Sequence, residues 1–187
     1  MVQRRKEEVR DAILTAAFEL FAAKGYTDTT LPSIARSAKV SHANIYVYFA
    51  SKLEILFAIY IPWLHQRLDA LDARLRAIPD RRERLRTLIL ALWRDLPKED
   101  NGFAHNIVEA VSSSGNRNDY DPTLRQYFVE KVSKWVSEST DLGDRDCDHV
   151  ATTLVMAFDG FAANTSLEHG MECSDALVDF HCDLLSV

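Results

Sequence analysis

The chain has 187 residues, with 22 Lys and Arg against 28 Asp and Glu, a net charge of −6, and three cysteines. That length allows one extended or two small domains, and the acidic balance makes the whole chain a poor non-specific binder of nucleic acid. No apolar run reaches the roughly 18 residues of a membrane span, and the charged start MVQRRKEEVRD lacks the apolar core of a signal peptide. Cys147, Cys173 and Cys182 are odd in number and irregular in spacing, which argues against a disulfide framework and for a reducing, cytoplasmic setting.

The charge is unevenly spread. Residues 1–60 hold 8 basic and 6 acidic side chains, a net of +2, and the remaining 127 carry a net of −8. A basic end on an acidic body can dock on a polyanion in one orientation. Arg4, Arg5 and Lys6 form either an arm that touches phosphates or a solvated terminus. Residues 6–24 then show a strong amphipathic pattern through Val9, Ile13, Ala16, Ala17, Leu20 and Phe21. Gly25 follows as a left-handed C-terminal cap.

Leu31, Ile34, Ala35 and Ala38 recur at helical spacing and predict a second helix of about two turns. Thr30 stands where its hydroxyl can cap that helix, and Pro32 falls in the first turn, where its missing N–H costs little. Thr30 and Ser33, with the helix N-terminus, are candidate phosphate ligands. Lys39-Val40 breaks the pattern, and Ser41 can cap a third short helix. Its apolar residues Ile45 and Phe49 face the core, while Ser41, His42, Asn44, Tyr46 and Tyr48 lie on the other side.

Such a helix suits a DNA major groove. Asn44 is the residue best able to read a base, because its amide donates to and accepts from adenine bidentately. Ala43 can approach a thymine methyl, and the hydroxyls of Tyr46 and Tyr48 can reach phosphates. His42 either touches a base or phosphate or is an exposed polar residue. Ser51-Lys52-Leu53-Glu54 is a capping box that launches another helix. Two short helices joined by a tight turn and braced by a first helix describe a helix-turn-helix unit.

The stretch GYTDTTLPSIARSAKVSHANIYVYFASKLEIL resembles the DNA-binding signature of the TetR-type (TetR/AcrR) bacterial transcriptional regulators. The resemblance covers residues 9–60 and rests on Gly25-Tyr26, Thr29-Thr30, Ile34-Ala35, Ala38, Val40-Ser41, Tyr46, Tyr48-Phe49, Ser51-Lys52 and Leu56, in order and without gaps. It implies that Lys52 is a phosphate clamp, which as a point charge adds affinity without sequence choice. Three positions depart from the family pattern. Lys39 stands where the turn usually carries Gly, and a left-handed residue there costs roughly 1–2 kcal/mol, although a Lys can also reach a phosphate. Ala43 and Asn44 occupy positions that are often Gly and Thr, so the operator cannot be borrowed from a relative.

From Ser51 the apolar pattern runs through Leu56, Ile59, Tyr60 and Leu64 toward Leu75, predicting a long connecting helix. Pro62 inside it is either a lever point or a structural kink. Asp80-Arg81-Arg82-Glu83 resembles a cap before Leu85, Leu88, Ile89 and Leu92. A short helix is expected from Phe103 to Val111, ended by the loop 112–116. Another starts at Asp121-Pro122 and runs through Trp135. A long apolar helix begins near Asp144, runs from Val150 to Leu167 and is stopped by Gly170. Ser174-Asp175 opens the last, from Leu177 to Leu185.

No strand and no repeat is expected. The predicted fold is all-α, with about nine helices. An N-terminal three-helix helix-turn-helix DNA-binding domain spans residues 1–52, and a C-terminal helical effector-binding and dimerisation domain spans 53–187. The last two helices are apolar on more than one side, which calls for a partner subunit as cover. The resemblance implies the same, a four-helix homodimer interface. Phe161, Leu167, Leu177, Phe180 and Leu184 are its candidate residues. The resemblance also implies a pocket for a small-molecule effector. Trp63, Phe103, Asn106, Glu109 and Asp159 are candidates there, as polar and aromatic groups among apolar walls.

No cofactor is expected. Cys147-x-His149, His169-x3-Cys173 and His181-Cys182 match no recurring zinc spacing. An enzyme reading lacks support, since no phosphate-binding Gly loop, nucleophile motif or paired acid with catalytic spacing is present. A protein-interaction adaptor would use the same helix-turn-helix on protein in place of DNA. The expected function is a ligand-responsive DNA-binding transcriptional regulator, a repressor on a palindromic operator released by its effector. An activator or a ligand-independent repressor is the alternative.

Overall fold

A computed structural model describes residues 2–99, 102–113, 122–165 and 170–185, and among them every regular element is helical. Ten α-helices follow in order: α1 (Val2–Asp28), α2 (Leu31–Ser37), α3 (His42–Tyr48), α4 (Lys52–Arg76), α5 (Arg81–Leu90), α6 (Leu96–Glu99), α7 (Phe103–Ser113), α8 (Thr123–Ser139), α9 (Asp144–Asn164) and α10 (Asp175–Leu185). A single π-helical turn, Ala91–Asp95, joins α5 to α6. None of these helices is long and apolar enough to cross a membrane by itself.

The chain divides into two compact units. One holds the described residues of 1–63 and 105–120, the other those of 64–104 and 121–187. The segment 105–113 of α7 therefore packs with the N-terminal helices, although it lies beyond the functional boundary at residues 52 and 53 read from the sequence.

In the first unit, α1 buries Ile13, Ala16, Ala17 and Phe21, the stripe its periodicity dictates. Its helical course is interrupted at Gly25, with φ 77° and ψ 176°. The positive φ agrees with the expected cap, but the ψ corrects it. The residue is extended in a region open essentially only to glycine, and it is not left-handed helical. A Cβ there would meet Glu109 Oε2 at 3.5 Å, an ordinary contact, so backbone conformation and not space demands the glycine. α1 packs on α2, and α2 packs on α3.

α4 runs through the exposed Pro62 and buries Leu56, Tyr60, Leu64, Leu68, Leu71 and Leu75 along one stripe. Its N-terminus carries the expected reciprocal cap with a shift of one residue. Glu54 N–H donates to Ser51 Oγ at 3.0 Å, and the Glu54 carboxylate accepts from Ala50 N–H, not from Ser51.

In the second unit, α8 and α9 form the main packed pair, α5 lies against α8 and α10, and α9 against the π turn. Trp135, Val136, Phe128, Phe158, Leu154 and Ala162 are buried there. Asp80 caps α5 as the sequence suggests, accepting from Glu83 N–H at 2.7 Å. Buried Trp93 in the π turn donates its indole N–H to Leu154 O at 3.1 Å. A ladder of ion pairs ties α10 to the α5 region. Arg82 meets Asp183, Arg86 meets Asp179 at 2.8 Å and Asp175 at 3.2 Å, and Arg94 meets Asp175 at 3.3 Å.

Candidate nucleic-acid interface

The helix-turn-helix is built by local hydrogen bonds. Thr30 is the N-cap of α2. Its Oγ1 accepts from Ser33 N–H at 3.3 Å, and Ser33 Oγ accepts from Thr30 N–H at 3.1 Å while donating to Thr30 O at 2.7 Å. Ser33 thus spends its hydroxyl proton within the cap, which makes Thr30 the better placed of the two to donate outward. Both residues are at the start of α2, where orphan N–H groups concentrate positive potential.

The turn after α2 is a Schellman arrangement. Val40 N–H donates to Ala35 O at 3.0 Å and Lys39 N–H to Arg36 O at 3.2 Å. Lys39 occupies the left-handed position, with φ 56°, the one non-glycine residue with positive φ among those described. Its side chain is exposed.

Ser41 then caps α3, accepting from Asn44 N–H at 3.2 Å. Ile45 and Phe49 are buried, while Ser41, His42, Ala43, Asn44 and Tyr46 are exposed and Tyr48 is half-buried. His42 and Tyr46 meet edge to face, with ring centroids 5.2 Å apart. The guanidinium of Arg10 lies 5.3 Å from the Phe49 ring centroid, so α1 braces the buried end of α3. An α-helix anchored by two apolar residues and presenting an amide, an imidazole and a phenol to solvent can enter a major groove without rearranging its core.

Lys52, half-buried at the start of α4, has its ammonium 2.7 Å from Tyr26 O, 2.8 Å from Thr29 O and 3.9 Å from the Tyr26 ring centroid. Burial pushes its pKa down, opposed by the nearby Glu109 and Asp28 carboxylates. Two of its three N–H groups thus serve the α1–α2 connection. Thr29, one of the residues that carry the resemblance, is fully buried, and its hydroxyl lies 2.8 Å from Gly25 O.

The five effector candidates divide between the units. Trp63, Asn106 and Glu109 belong to the first, Phe103 and Asp159 to the second. Trp63 stacks on Tyr60, with centroids 5.5 Å apart. Buried Asn106 points its amide at Phe21 O, 3.5 Å away. Glu109 accepts from Tyr26 N–H at 3.1 Å and Thr27 N–H at 3.3 Å. Phe103 is buried, and Asp159 pairs with Arg125 at 2.6 Å. A cavity of about 290 Å³ in the second unit is lined by other residues, among them Trp93, Arg94, Lys98, Phe161, Met171 and Cys173. Trp93 and Phe161 face one another there, with centroids 5.6 Å apart. No local pattern marks such a site, since it depends on the π turn and on the connection after α9.

Of the interface candidates, Phe180 and Leu184 are 61% and 60% exposed, and Met156 on α9 is 58% exposed. Phe161 and Leu177 are half-buried, and Leu167 lies outside the described residues. Among the described residues no three His, Cys, Asp or Glu side chains come together in a way that could hold a metal ion. His169, part of one cysteine–histidine pair, lies outside the described residues. Burial pushes all three cysteine thiols up.

Residues 13–59 match the family of bacterial regulatory proteins, tetR family. The chain is 26% identical over 171 residues to "Putative mycofactocin biosynthesis transcriptional regulator MftR" of Mycobacterium tuberculosis, covering 90% of this chain and 82% of that protein. It is 31% identical over 98 residues to the HTH-type transcriptional activator FasR of Mycolicibacterium smegmatis, covering 52% of this chain and 45% of FasR. The fold is similar to that of the transcriptional regulator FadR from Bacillus subtilis in complex with stearoyl-CoA. There the TM-score is 0.59 at 20% identity, covering 93% of this chain and 96% of that one.

Proposed function

Because this chain belongs to the tetR family of bacterial regulatory proteins, we propose that it is a ligand-responsive repressor, binding a palindromic operator as a homodimer and released by a small-molecule effector. DNA binding and transcription regulation are the family's activity; the repressing sign, the palindrome and the release are the further content of the proposal. The observation that carries it is α3, exposed at Ser41, His42, Ala43, Asn44 and Tyr46 and anchored by buried Ile45 and Phe49. In this reading Asn44 reads a base and Ala43 meets a thymine methyl. Thr30, Ser33, Lys39, Tyr46, Tyr48 and the third N–H of Lys52 position the unit on phosphates.

The dimer rests on Phe180, Leu184 and Met156, large apolar side chains that water would otherwise cover on two adjacent elements. Two-fold symmetry sets the two α3 helices on successive turns of the duplex, about 34–36 Å apart or somewhat more. The effector acts only as far as it binds two conformations differently. The 290 Å³ cavity beside Trp93 and Phe161 has room for a small one. The protein acts in the cytoplasm by binding and not by catalysis. A relative named as an activator, FasR, keeps activation from the same DNA-binding unit as the second reading.

The test is a salt-dependent titration of the purified protein on its own upstream region against a scrambled duplex. Preferential, salt-sensitive binding by a dimer, lost on addition of a compound from an effector screen, is the expected result. Equal affinity for both duplexes, followed by no enrichment in a genomic selection of bound fragments, would overturn it.

A further inference from the structure

The helical course of α1 is interrupted at Gly25 by extended backbone, directly before the N–H groups of Tyr26 and Thr27. These donors open one short turn, closed by Thr29 N–H on Tyr26 O at 3.2 Å, whose far end is Thr30, the N-cap of α2. The turn is gripped at both polar ends by opposite charges from other helices. At the N–H end the Glu109 carboxylate of α7 accepts from Tyr26 and Thr27, at 3.1 and 3.3 Å. At the carbonyl end the Lys52 ammonium of α4 donates to Tyr26 O and Thr29 O. A carboxylate at the N–H end of a helical turn and an ammonium at its carbonyl end is the pairing that the turn's dipole favours.

We propose that Glu109 is a positioning residue for DNA recognition. By holding the turn 26–29 from its N–H side, it fixes where α2 begins and so where α3 presents Asn44. The inference rests on the DNA-reading role of α3 and adds to it a residue some sixty-five positions downstream that touches no DNA. Asn106, one turn earlier on α7, directs its amide to Phe21 O, so two polar side chains of one helix face address the end of α1. The groups that bear on the Glu109 charge are the Thr27 hydroxyl and the Lys52 and His105 side chains.

The sign of the effect separates positioning from charge. Removing a carboxylate from a DNA-binding unit strengthens binding by long-range electrostatics. Loss of the grip weakens it, because the apparent dissociation constant rises as the competent fraction falls. The full-length Glu109→Ala and Glu109→Gln variants are titrated on a duplex that the wild type selects, far below their melting temperatures. Expected is about a tenfold loss of affinity for the Ala variant and about a threefold loss for Gln, whose amide oxygen still accepts one N–H. The salt slope stays unchanged in both, since no phosphate contact is lost. Amide exchange at Tyr26 and Thr27 speeds up in the same order. Wild-type or tighter binding by both variants overturns the positioning role and leaves DNA reading intact. Should the Ala variant fold poorly, the Gln variant decides alone. A wild type that selects no duplex removes DNA reading, and this role with it.

Discussion

The Lys52 ammonium stands 2.7 Å from the carbonyl oxygen of Tyr26 and 3.9 Å from the centroid of the same residue's ring. One side chain thus satisfies two carbonyls at the end of α1 and covers an aromatic face, before any contact with DNA is considered. Lys52→Ala removes charge-assisted bonds worth about 1.5–3 kcal/mol each when fully buried, and less here because the site is half-exposed. Urea denaturation is expected to show a lower midpoint. If the third N–H meets a phosphate, the salt slope of operator binding falls by about one in the same variant. The two readouts separate brace from clamp. An unchanged slope with a lowered midpoint would leave Lys52 as a brace alone.

Lys39 sits at φ 56° in a Schellman turn that glycine fits without strain. Lys39→Gly relieves the left-handed penalty but frees the unfolded chain, so the expected net gain is about 0.5–1 kcal/mol. The same change weakens binding to every duplex alike if the side chain reaches a phosphate. Thermal melting and a two-duplex titration check both halves.

Asn44→Ala is expected to cost about 1–3 kcal/mol of operator affinity and to relax the preference at one base pair per half-site. Selection of binding sites by the variant from a randomised operator reads this directly. Preserved preference at every position would move base reading to another residue of α3.

Phe180→Asp places a charge on a ring that is 61% exposed in the single chain. Sedimentation velocity is expected to show a monomer, with operator affinity falling about a hundredfold as the linkage of two half-sites is lost. Since α10 is also held by Arg82, Arg86 and Arg94 on Asp175, Asp179 and Asp183, the same measurement on Arg86→Ala is expected to show a dimer more sensitive to salt. A dimer that persists in Phe180→Asp would place the subunit contact elsewhere.

Glu109 titrates below the usual carboxylate range. The Thr27 hydroxyl contributes most to this, then the Thr27 and Tyr26 N–H groups and the His105 charge, all acting against burial. A carboxylate whose folded pKa is depressed stabilises the fold above its unfolded pKa, and that stability is lost as pH falls through the folded value. Glu109→Gln is therefore expected to flatten the acid limb of a stability–pH profile while leaving its shape near neutrality unchanged. An acid limb identical to the wild type's would deny Glu109 its stabilising contacts.

The helix caps were legible in the sequence. Thr30 with Ser33, Ser41 with Asn44 N–H, Ser51 with Glu54 and Asp80 with Glu83 N–H are bonds along one turn of helix, so residue type and spacing determine them. The left-handed Lys39 followed from the family resemblance, whose turn usually carries Gly there, while the apolar period alone marked Ile45 and Phe49 as buried. Tertiary structure decided the long-range partners: Glu109 on a turn 83 residues away, Lys52 on carbonyls 23 and 26 residues back, and Arg86 on Asp179 across 93 residues. It also decided the extended ψ at Gly25, the π turn at 91–95 and the cavity beside Trp93. The physical reason is that periodicity tells which face of a helix is apolar but not which helix will cover it. A polar side chain such as Glu109, able to serve a pocket or a backbone equally by its chemistry, takes its role from whatever the packed chain brings to its carboxylate.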